Sequence, residues 1–379
     1  MGVGDDAFLE YRETVRLSCY GSVRQMKPPS NTKRGLVPAH NKGSGTPARR
    51  LRAANQRAGF RADTKETGLV VGVDIGGTNL RLALADLQGN ILGRWKASTK
   101  ATSSTDHVIL QIKKGMGSLL RRFSSSRRSL LAVAAGVPGV TNPKTGMVLA
   151  TSYLRGWKNV AFQHLLESAL GVPAAIENDV RMAAIGEHWK GEARGVQDFV
   201  FLAIGTGIAA GIFANGKLVH GANFAAGEVG YMYVPGGTEE PVSPGAPGSL
   251  ESAIGGDGVR QQWERVCPAD GFPQNLPATQ ILSRASAGDS LAKPVLDRSA
   301  QLLAYAIYNI SLVLNSSLFV LGGGVGVSEP LRAATEGVLN RYSEPSLPKL
   351  VISSLGTDAQ LMGAIRLAIT IAKTHKRAI

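Results

Sequence analysis

The chain has 379 residues, of which 44% are hydrophobic, and its formal net charge is +14. This length suits two globular domains, and no apolar run approaches the ~20 residues that cross a bilayer, which argues against a membrane protein. The two cysteines, Cys19 and Cys267, are too few for a disulfide framework or a metal cluster. With no charged-then-apolar leader at the start, the sequence predicts a cytoplasmic protein.

The positive charge is concentrated near the N-terminus. Residues 1–66 hold 4 Lys and 9 Arg against 6 Asp plus Glu, so +7 of the +14 lies in this segment. It is rich in Gly and Pro and has little apolar periodicity, which is typical of disordered chain. We therefore expect residues 1–67 to be a basic, disordered extension. A nucleic-acid tether or a targeting segment is the alternative, but the charge distribution argues against nucleic acid as a partner.

Ordered structure is expected to begin near Gly68. Beyond it, strand patterns alternate with helix patterns, which indicates an α/β protein with open sheets. In such folds, ligands bind where strands end and glycine-rich turns begin. The predicted strands are 69–74, 79–86, 92–97, 129–136, 174–177 and 318–321, with a hairpin over 199–219; the predicted helices are one capped by Thr105 or Asp106 and those at 161–170, 180–189, 294–315 and 358–373.

Two glycine-rich hairpins stand out from this pattern. The first reads VVGVDIGGTNLRLALAD (70–86) and the second reads FVFLAIGTGIAAGIFAN (199–215). Each is an apolar run, a Gly/Thr turn and a second apolar run. A turn with few side chains can bring several backbone N–H groups close to an anion, although either turn alone could be an ordinary tight hairpin. The pair suggests two related halves that hold one polyphosphate.

The first turn carries residues that suit a phosphate site. Asp74 ends a strand directly before Gly76 and Gly77, where its carboxylate can face a magnesium ion directly or through water. Thr78 and Asn79 supply neutral hydrogen-bond donors. The corresponding residues of the second turn are Gly205, Thr206 and Gly207.

A third glycine site lies in LFVLGGGVG (318–326), where a strand runs into Gly322, Gly323 and Gly324. This backbone could lie against the adenine or ribose of a nucleotide. It could equally be a strand-to-helix turn that requires a positive φ.

Asn178 and Asp179 lie at a strand-to-helix junction in IENDVRMAAIGEHW (176–189). Either residue can simply cap the helix, which the spacing alone favours. The functional alternative is that Asp179 takes a proton from a substrate hydroxyl while Asn178 binds a neighbouring hydroxyl. Glu228 and Glu251, on glycine-rich loops, could bind vicinal hydroxyls or could be ordinary solvated side chains.

In this order, the segments resemble the motifs of the ROK family of sugar kinases and regulators, from about Leu69 to Ala372. The resemblance implies the actin/hexokinase-type (ribonuclease H-like) α/β fold, in which two domains close over a cleft and each contributes one phosphate hairpin. We expect these domains at 68–190 and 191–357, with a terminal helix at 358–375 packing back on the first. The matching segments are DIGGTN (74–79), GVPGVTNPKTG (136–146), ENDVRMAAIGE (177–187), IGTGIAAGI (204–212) and VLGGGV (320–325).

The resemblance also implies roles for individual residues. Asp179 corresponds to the base that activates the sugar 6-hydroxyl for attack on the ATP γ-phosphate, and Asp74 would organise Mg²⁺. Thr78 and Thr206 would contact phosphates. The expected ligands are a hexose, ATP and Mg²⁺, the expected activity is that of a glucokinase supplying glycolysis, and the expected assembly is a homodimer. The sugar ligands would be Gly139, Asn178, Glu228 and Glu251.

The sequence departs from the family pattern at two places, both near the expected sugar-binding residues. Tyr231 in GEVGY (227–231) stands where the family commonly has a histidine, and residues 235–251 contain no cysteine. The family's zinc hairpin lacks its ligands here, so we expect no structural zinc. Tyr231 could instead hydrogen-bond the sugar near its anomeric end.

Several activities remain open at this stage. Within kinases, the acceptor could be fructose, mannose, allose or an N-acetylhexosamine, and polyphosphate could replace ATP. A sugar-responsive transcriptional regulator or a non-catalytic sugar-binding protein is the alternative class. Regulators of this family carry a winged-helix domain, which residues 1–66 do not resemble, and often lose phosphate-motif residues that are present here.

Overall fold

The computed structural model describes residues 68–99, 104–123, 129–238, 246–268, 273, 275–342 and 347–377. They belong to one compact unit, Asp63–Ile379. The predicted basic extension, residues 1–67, lies outside the described residues. Within the described ranges, none of the helices combines the length and apolar character that a membrane span requires.

The first sheet is built around the hairpin that carries the first glycine motif. Its strands are β1 (Leu69–Ile75), β2 (Asn79–Asp86), β3 (Ile91–Ser98), β4 (Leu130–Val137) and β7 (Ala174–Asn178), while β5 (Val140–Asn142) and β6 (Met147–Ala150) form a separate hairpin. The order in the sheet is β3-β2-β1-β4-β7. Strands β1 and β4 are apolar and buried along nearly their whole length, as expected for central strands covered by helices on both faces.

The second sheet repeats this arrangement around the second glycine motif. Its strands are β8 (Phe199–Ile204), β9 (Ile208–Ala214), β10 (Lys217–Leu218), β11 (Leu318–Gly322) and β12 (Lys349–Ile352). The order is β10-β9-β8-β11-β12, with an antiparallel hairpin side and a parallel side as in the first sheet. In both sheets a glycine turn joins the central strand to its antiparallel neighbour. This equal topology agrees with the two related halves that the paired motifs suggested.

Ten helices are found in the described part of the chain. They are α1 (Thr105–Arg122), α2 (Phe162–Leu170), α3 (Asp179–Lys190), α4 (Ser249–Ile254), α5 (Gly256–Val266), α6 (Ala278–Ser286), α7 (Ala292–Leu314), α8 (Gly323–Gly326), α9 (Glu329–Leu339) and α10 (Ala359–Arg377). Helices α1 and α2 cover one face of the first sheet, and α10 covers the other. The largest core cluster joins α4 to α7 and α9 to the second sheet.

Helix α3, which begins at Asp179, is fixed from two sides. A methyl group on Gly186 would lie 2.2 Å from the Ala359 carbonyl oxygen, so the backbones of α3 and α10 are in contact. On its other side, Ala184 packs against Gly211 of β9, where an added Cβ would meet it at 2.5 Å. Contacts of this kind need small residues because the interior is close-packed. Helix α3 is therefore packed between α10 and the second sheet.

The structure differs from the sequence predictions in several local details. Helix α1 is capped by Ser104, which accepts a hydrogen bond from the His107 N–H at 3.3 Å, and not by Thr105 or Asp106. Helix α7 begins before Pro294, because proline is tolerated in the first helical turn. The sequence reading assigned no elements to the small β5–β6 hairpin or to α4, α5, α6, α9 and β12.

Candidate active site

Hydrogen bonds to residues of the first sheet and its adjoining loop fix the conformation of the first glycine turn (residues 76–78). The Gly76 N–H donates to the Asn79 carbonyl at 2.8 Å. The Thr99 hydroxyl donates to the Gly76 carbonyl at 2.6 Å. The Thr78 and Asn79 side chains are exposed. The turn therefore presents two short polar side chains to solvent.

The second glycine turn (residues 205–207) has similar support. The Gly205 N–H donates to the Gly207 carbonyl at 2.9 Å, and the Gly205 carbonyl accepts from the Gly256 N–H at 2.7 Å. Thr206 is exposed. The Glu251 carboxylate accepts a hydrogen bond from the Ile208 N–H at 2.8 Å. One of the predicted sugar ligands is thus fixed directly to the second turn.

The third glycine site adjoins the second turn. Gly323 has φ +79°, and a Cβ there would lie 2.4 Å from the Ile204 carbonyl, so this position requires glycine for backbone reasons. Gly322 packs against the Phe201 ring, which a Cβ would meet at 2.4 Å. Gly324, in contrast, faces open space, with nothing within 4 Å of an added Cβ. Of the three, Gly324 is the position where the structure leaves room for a ligand.

Asn178 is the N-cap of α3, and Asp179 is its first residue. The Asn178 side-chain oxygen accepts from the N–H groups of Val180 and Arg181 at 3.0 and 2.9 Å. Its amide nitrogen donates to the Gly139 carbonyl at 2.9 Å and to Asp179 Oδ1 at 3.2 Å. The cap role that spacing favoured for this pair therefore falls to Asn178, and it ties the Gly139 loop to Asp179.

Asp74 is buried at the end of β1 and paired with Arg81 of β2. The guanidinium donates to Asp74 Oδ2 from Nε at 2.7 Å and from Nη2 at 2.6 Å. A third nitrogen donates to the Thr357 carbonyl, just before α10. Burial raises the pKa of Asp74, and the adjacent Arg81 charge opposes that rise. Arg81 was not among the residues predicted for the site.

Asp179 has a strongly perturbed carboxyl group. Part of its surface reaches solvent, yet protein surrounds it, and this desolvation raises its pKa to about 7. The negative charge of Asp74 is the next largest cause, and that of Glu228 adds to it. An aspartate with a pKa near 7 can exchange a proton at physiological pH, as a general base requires.

Glu228, Tyr231 and Glu251 come together on the side of the second sheet. The Gly227 backbone, with φ +95°, fixes the Glu228 loop to β9 because its carbonyl accepts from the Ala210 N–H at 2.7 Å. Burial raises the pKa of both glutamates, and the charge of Glu251 adds to the effect at Glu228. Tyr231 is 47% exposed, and partial burial, followed by the charges of Glu228 and Glu251, raises the pKa of its phenol.

Hydrogen bonds join the two ends of the segment between Tyr231 and Glu251, within the residues that the structure describes. The Leu250 N–H donates to the Met232 carbonyl at 3.0 Å. The Val234 N–H donates to the Ser249 hydroxyl at 3.2 Å. These bonds hold the start of α4, and with it Glu251, next to Glu228.

Tyr153 belongs to the same cluster and was missed by sequence reasoning, because nothing in its neighbourhood marks it. It follows β6 on a loop that packs on Gly139. Its backbone and Cβ approach Gly77, where an added Cβ would meet them at 3.6 and 3.7 Å, and its hydroxyl would lie 2.6 Å from a Cβ on Gly207. The ring therefore spans the gap between the two glycine turns.

A buried ionic network connects the elements that carry the site residues. Glu177 pairs with Arg181, one helical turn further on, at 2.8 Å and with His220 at 2.7 Å. Arg181 also donates to the Phe224 carbonyl at 3.0 Å, on the loop that leads to Glu228, and to Thr141. The partners hold the pKa of Glu177 below its usual value despite burial. The Glu–Arg spacing of four residues was the available sequence signal.

The donor set fits a magnesium ion carried by a nucleotide better than a resident ion. Among the described residues, no group of three or more His, Cys, Asp and Glu side chains is arranged to hold a metal. Asp74 and Asp179 are neighbouring carboxylates, and the charge of one raises the pKa of the other. Magnesium commonly binds one or two protein carboxylates together with substrate phosphates, and a cation at this position would relieve the repulsion.

The family model described as "ROK family" matches residues 70–371. A glucokinase of Halalkalibacterium halodurans is 30% identical over 308 residues, which cover 77% of this chain and 92% of that protein. The ROK hexokinase of Thermus thermophilus has a similar structure, with a TM-score of 0.67 and 25% identity over 81% of this chain and 99% of that one.

A ROK family transcriptional regulator, a homologue of the E. coli MLC protein, shares the fold with a TM-score of 0.69 at 24% identity, covering 81% of this chain and 79% of the regulator. The fold is therefore common to enzymes and regulators of the family. The match to the family model and the similarity to the glucokinase agree with the two sheets of equal topology and the paired glycine turns. The curated homologues of this chain include sugar kinases. This chain is a member of the ROK family and has the actin/hexokinase-type α/β fold.

Proposed function

We propose that this protein is an ATP-dependent hexose kinase that transfers the γ-phosphate to the sugar 6-hydroxyl, with glucose as the first candidate acceptor. The observation that carries the proposal is the environment of Asp179. Its pKa is raised to about 7, in part by the charges of Asp74 and Glu228. Asp74 lies on the strand that leads to the first glycine turn, and β4 separates that strand from the strand that leads to Asp179. A proton acceptor at this position suits transfer to a hydroxyl group.

In the proposed reaction, Asp179 accepts the proton of the sugar hydroxyl. The hydroxyl oxygen forms a bond to the γ-phosphorus as the bond from that phosphorus to the bridging oxygen of ADP breaks. Glu228 and Glu251, with Asn178 holding the Gly139 loop, would orient the sugar by accepting hydrogen bonds from its hydroxyls. Tyr231 would take the place of the family histidine near the anomeric end.

The donor side of the proposal rests on the glycine turns. Backbone N–H groups and the exposed hydroxyls of Thr78 and Thr206 would bind phosphate oxygens, and Gly324 would lie against the nucleoside. Magnesium, bound with the nucleotide near Asp74, would neutralise phosphate charge. The arginine at position 81 holds the Asp74 carboxylate in place for this role. The remaining proposed contacts are Gly76, Gly77, Asn79, Gly205, Gly207, Gly322 and Gly323.

The wider assembly is also part of the proposal. Domains at 68–190 and 191–357, with a terminal helix at 358–375, would close over the sugar and expel water that otherwise competes as acceptor. A homodimer is proposed from the family resemblance, a cytosolic location from the composition of the sequence, and the absence of structural zinc from the departure at Tyr231 and the lack of cysteine in residues 235–251. Light scattering and metal analysis of the purified protein test these points separately from activity.

A panel of hexoses with Mg²⁺-ATP, read by a coupled ADP assay, tests the central proposal. Glucose is expected to give the highest kcat/KM among glucose, fructose, mannose, allose and N-acetylated hexosamines. Polyphosphate in place of ATP tests the donor. Sugar binding by calorimetry without turnover of any member would instead favour a regulator or a sugar-binding protein.

The role of Asp179 has its own test. Asp179→Ala is expected to lower kcat by at least about 100-fold, the contribution typical of a general base, while nucleotide affinity stays within a few fold. A variant that retained most of its kcat would show that another group takes the proton.

A further inference from the structure

The carboxylate cluster has few hydrogen-bond donors of its own. When ionised, Asp179, Glu228 and Glu251 can only accept hydrogen bonds. Both N–H bonds of the Asn178 side chain are already directed to Gly139 and Asp179 within the protein. A sugar hydroxyl donates one hydrogen bond and accepts up to two. Of the predicted side-chain ligands, only the Tyr231 phenol, which is proposed for the anomeric end, is left to donate to such an oxygen, so the sugar oxygens next to Glu251 need another donor.

The hydroxyl of Tyr153 is such a donor. Glu251 and Tyr153 both approach the Cα of Gly207, since a Cβ built there would lie 3.0 Å from Glu251 Oε2 and 2.6 Å from the tyrosine hydroxyl. No described residue forms a hydrogen bond with that hydroxyl; the hydrogen bond found at Tyr153 is from its backbone N–H to Thr151. The side chain is 41% exposed, so a ligand can reach it.

The charges around the phenol indicate which ligand it meets. Burial, followed by the charges of Glu251, Asp179 and Glu228, raises the pKa of Tyr153 to about 12. The phenol therefore stays protonated and neutral at physiological pH. The same carboxylates can accept hydrogen bonds from the hydroxyls of a neutral polyol, which makes this position suitable for a sugar.

From this juxtaposition we infer that Tyr153 is a positioning and specificity residue of the acceptor site, whose hydroxyl donates a hydrogen bond to a sugar oxygen at the junction of the two glycine turns. The inference rests on the proposed kinase function and deepens it. It assigns the donor that complements Glu251. Because the ring spans from Gly77 to Gly207, it also forms the wall of the acceptor site on that side.

Tyr153→Phe tests the inference because it removes the hydroxyl and keeps the ring. We expect the KM for the best hexose of the panel to rise about 3- to 10-fold, the effect of one hydrogen bond, with the KM for ATP within 2-fold. Tyr233→Phe is the matched control, since Tyr233 is 67% exposed and lies outside the proposed contacts. It should change neither constant.

A series of monodeoxy sugars provides a readout that a merely structural role would not change. The sugar that lacks the partner hydroxyl should be used equally well by wild type and Tyr153→Phe, while the other sugars should keep the 3- to 10-fold difference. Thermal denaturation of the variant checks that the fold is intact.

The outcomes separate the two proposals. Wild-type turnover with an unchanged sugar KM in Tyr153→Phe would overturn the role of Tyr153 and leave the kinase proposal standing. A change in the KM for ATP alone would place the hydroxyl on the donor side and would also overturn it. If the wild type phosphorylates no sugar, the kinase proposal fails and the role of Tyr153 as a kinase residue fails with it.

Discussion

Asp74 and Asp179 lie at the ends of two strands of the same sheet, separated by β4, and the charge of the first raises the pKa of the second. Gly136 of β4 pairs with Asp74 in the sheet, and a Cβ on this glycine would be 3.6 Å from the Asp179 Cα. Arg81 forms an ion pair with Asp74. The electrostatic basis of the proposed site is therefore a titrating base near an ion-paired carboxylate whose charge still raises the pKa of that base.

The pH dependence of activity should report Asp179. With both substrates well below their KM values, the rate reports the free enzyme. This rate should rise with pH through about 7 and level off above it, because the base must be ionised. Asp74→Asn removes one cause of the raised pKa, so the rise in its residual activity should move to lower pH. A flat profile from about pH 5.5 to 8 would contradict this assignment.

Asp179 should also make the protein less stable at neutral than at acidic pH. Because its pKa is raised in the folded state, its contribution to stability is lost as pH rises from the unfolded value of 3.8 to about 7. Asp179→Asn, which keeps a side-chain oxygen for the Val180 N–H, should gain stability relative to wild type over this range. The gain is at most about 4 kcal/mol, since one pKa unit corresponds to about 1.36 kcal/mol.

Denaturant unfolding of both proteins at about pH 4 and pH 8 measures this difference. The variant should be inactive in transfer and relatively more stable at the higher pH. A difference in the free energy of unfolding that does not change with pH would argue that Asp179 has an ordinary pKa.

Gly323 and Gly324 should respond differently to the same substitution. Gly323→Ala forces a side chain into φ +79° and a Cβ to within 2.4 Å of the Ile204 carbonyl, so it should destabilise the protein by about 2 kcal/mol or more. Gly324→Ala has open space around it and should fold like wild type. If Gly324 faces the nucleotide, its variant should instead raise the KM for ATP and leave the sugar KM unchanged.

Thermal denaturation and steady-state kinetics of the two alanine variants test this contrast. Equal stability of both variants would contradict the backbone role of Gly323. An unchanged KM for ATP in Gly324→Ala would remove Gly324 from the proposed nucleotide contacts.

The buried pair of Glu177 and Arg181 should show strong coupling in a double-mutant cycle. Their side chains are 4% and 3% exposed, so Arg181→Met removes the guanidinium from a buried carboxylate and leaves it with His220, the Asn178 N–H and the Thr141 hydroxyl. This change should cost about 3–5 kcal/mol. Glu177→Leu combined with Arg181→Met should cost clearly less than the two single changes together. Additive effects, measured by denaturant unfolding, would mean that the pair is not coupled.

Much of the fold could be predicted because its signals are local. The apolar runs on either side of the turns at residues 76–78 and 205–207 could form little else than hairpins, and both are present. The apolar spacing from Val108 to Leu120 gave helix α1, although the cap is one residue earlier than expected. Helices α5 and α6 also have an apolar face at helical spacing, which the sequence prediction missed, whereas α4 has only six residues and is too short to show such a pattern.

The candidate site likewise has features that local sequence predicts and features that depend on residues distant in the chain. Asn178 and Asp179 both have local reasons to lie at a helix start, and sequence alone could not say which residue caps the helix. The hydrogen bonds of Asn178 decide this, because they link it to Gly139, nearly forty residues earlier. Arg81 and Tyr153 escaped notice for a related reason. Their partners, Thr357 and Gly207, are distant in sequence and become neighbours only in the folded chain.

The sequence by itself determined the two glycine hairpins, the α/β class and the carboxylate types available for chemistry, since each depends on residue identity within a short segment. Tertiary structure alone decided which of those carboxylates titrates near neutral pH. Burial and the charges of Asp74 and Glu228 raise the pKa of Asp179, and these charges come from strands and loops that only the packing of two sheets around α3 brings together.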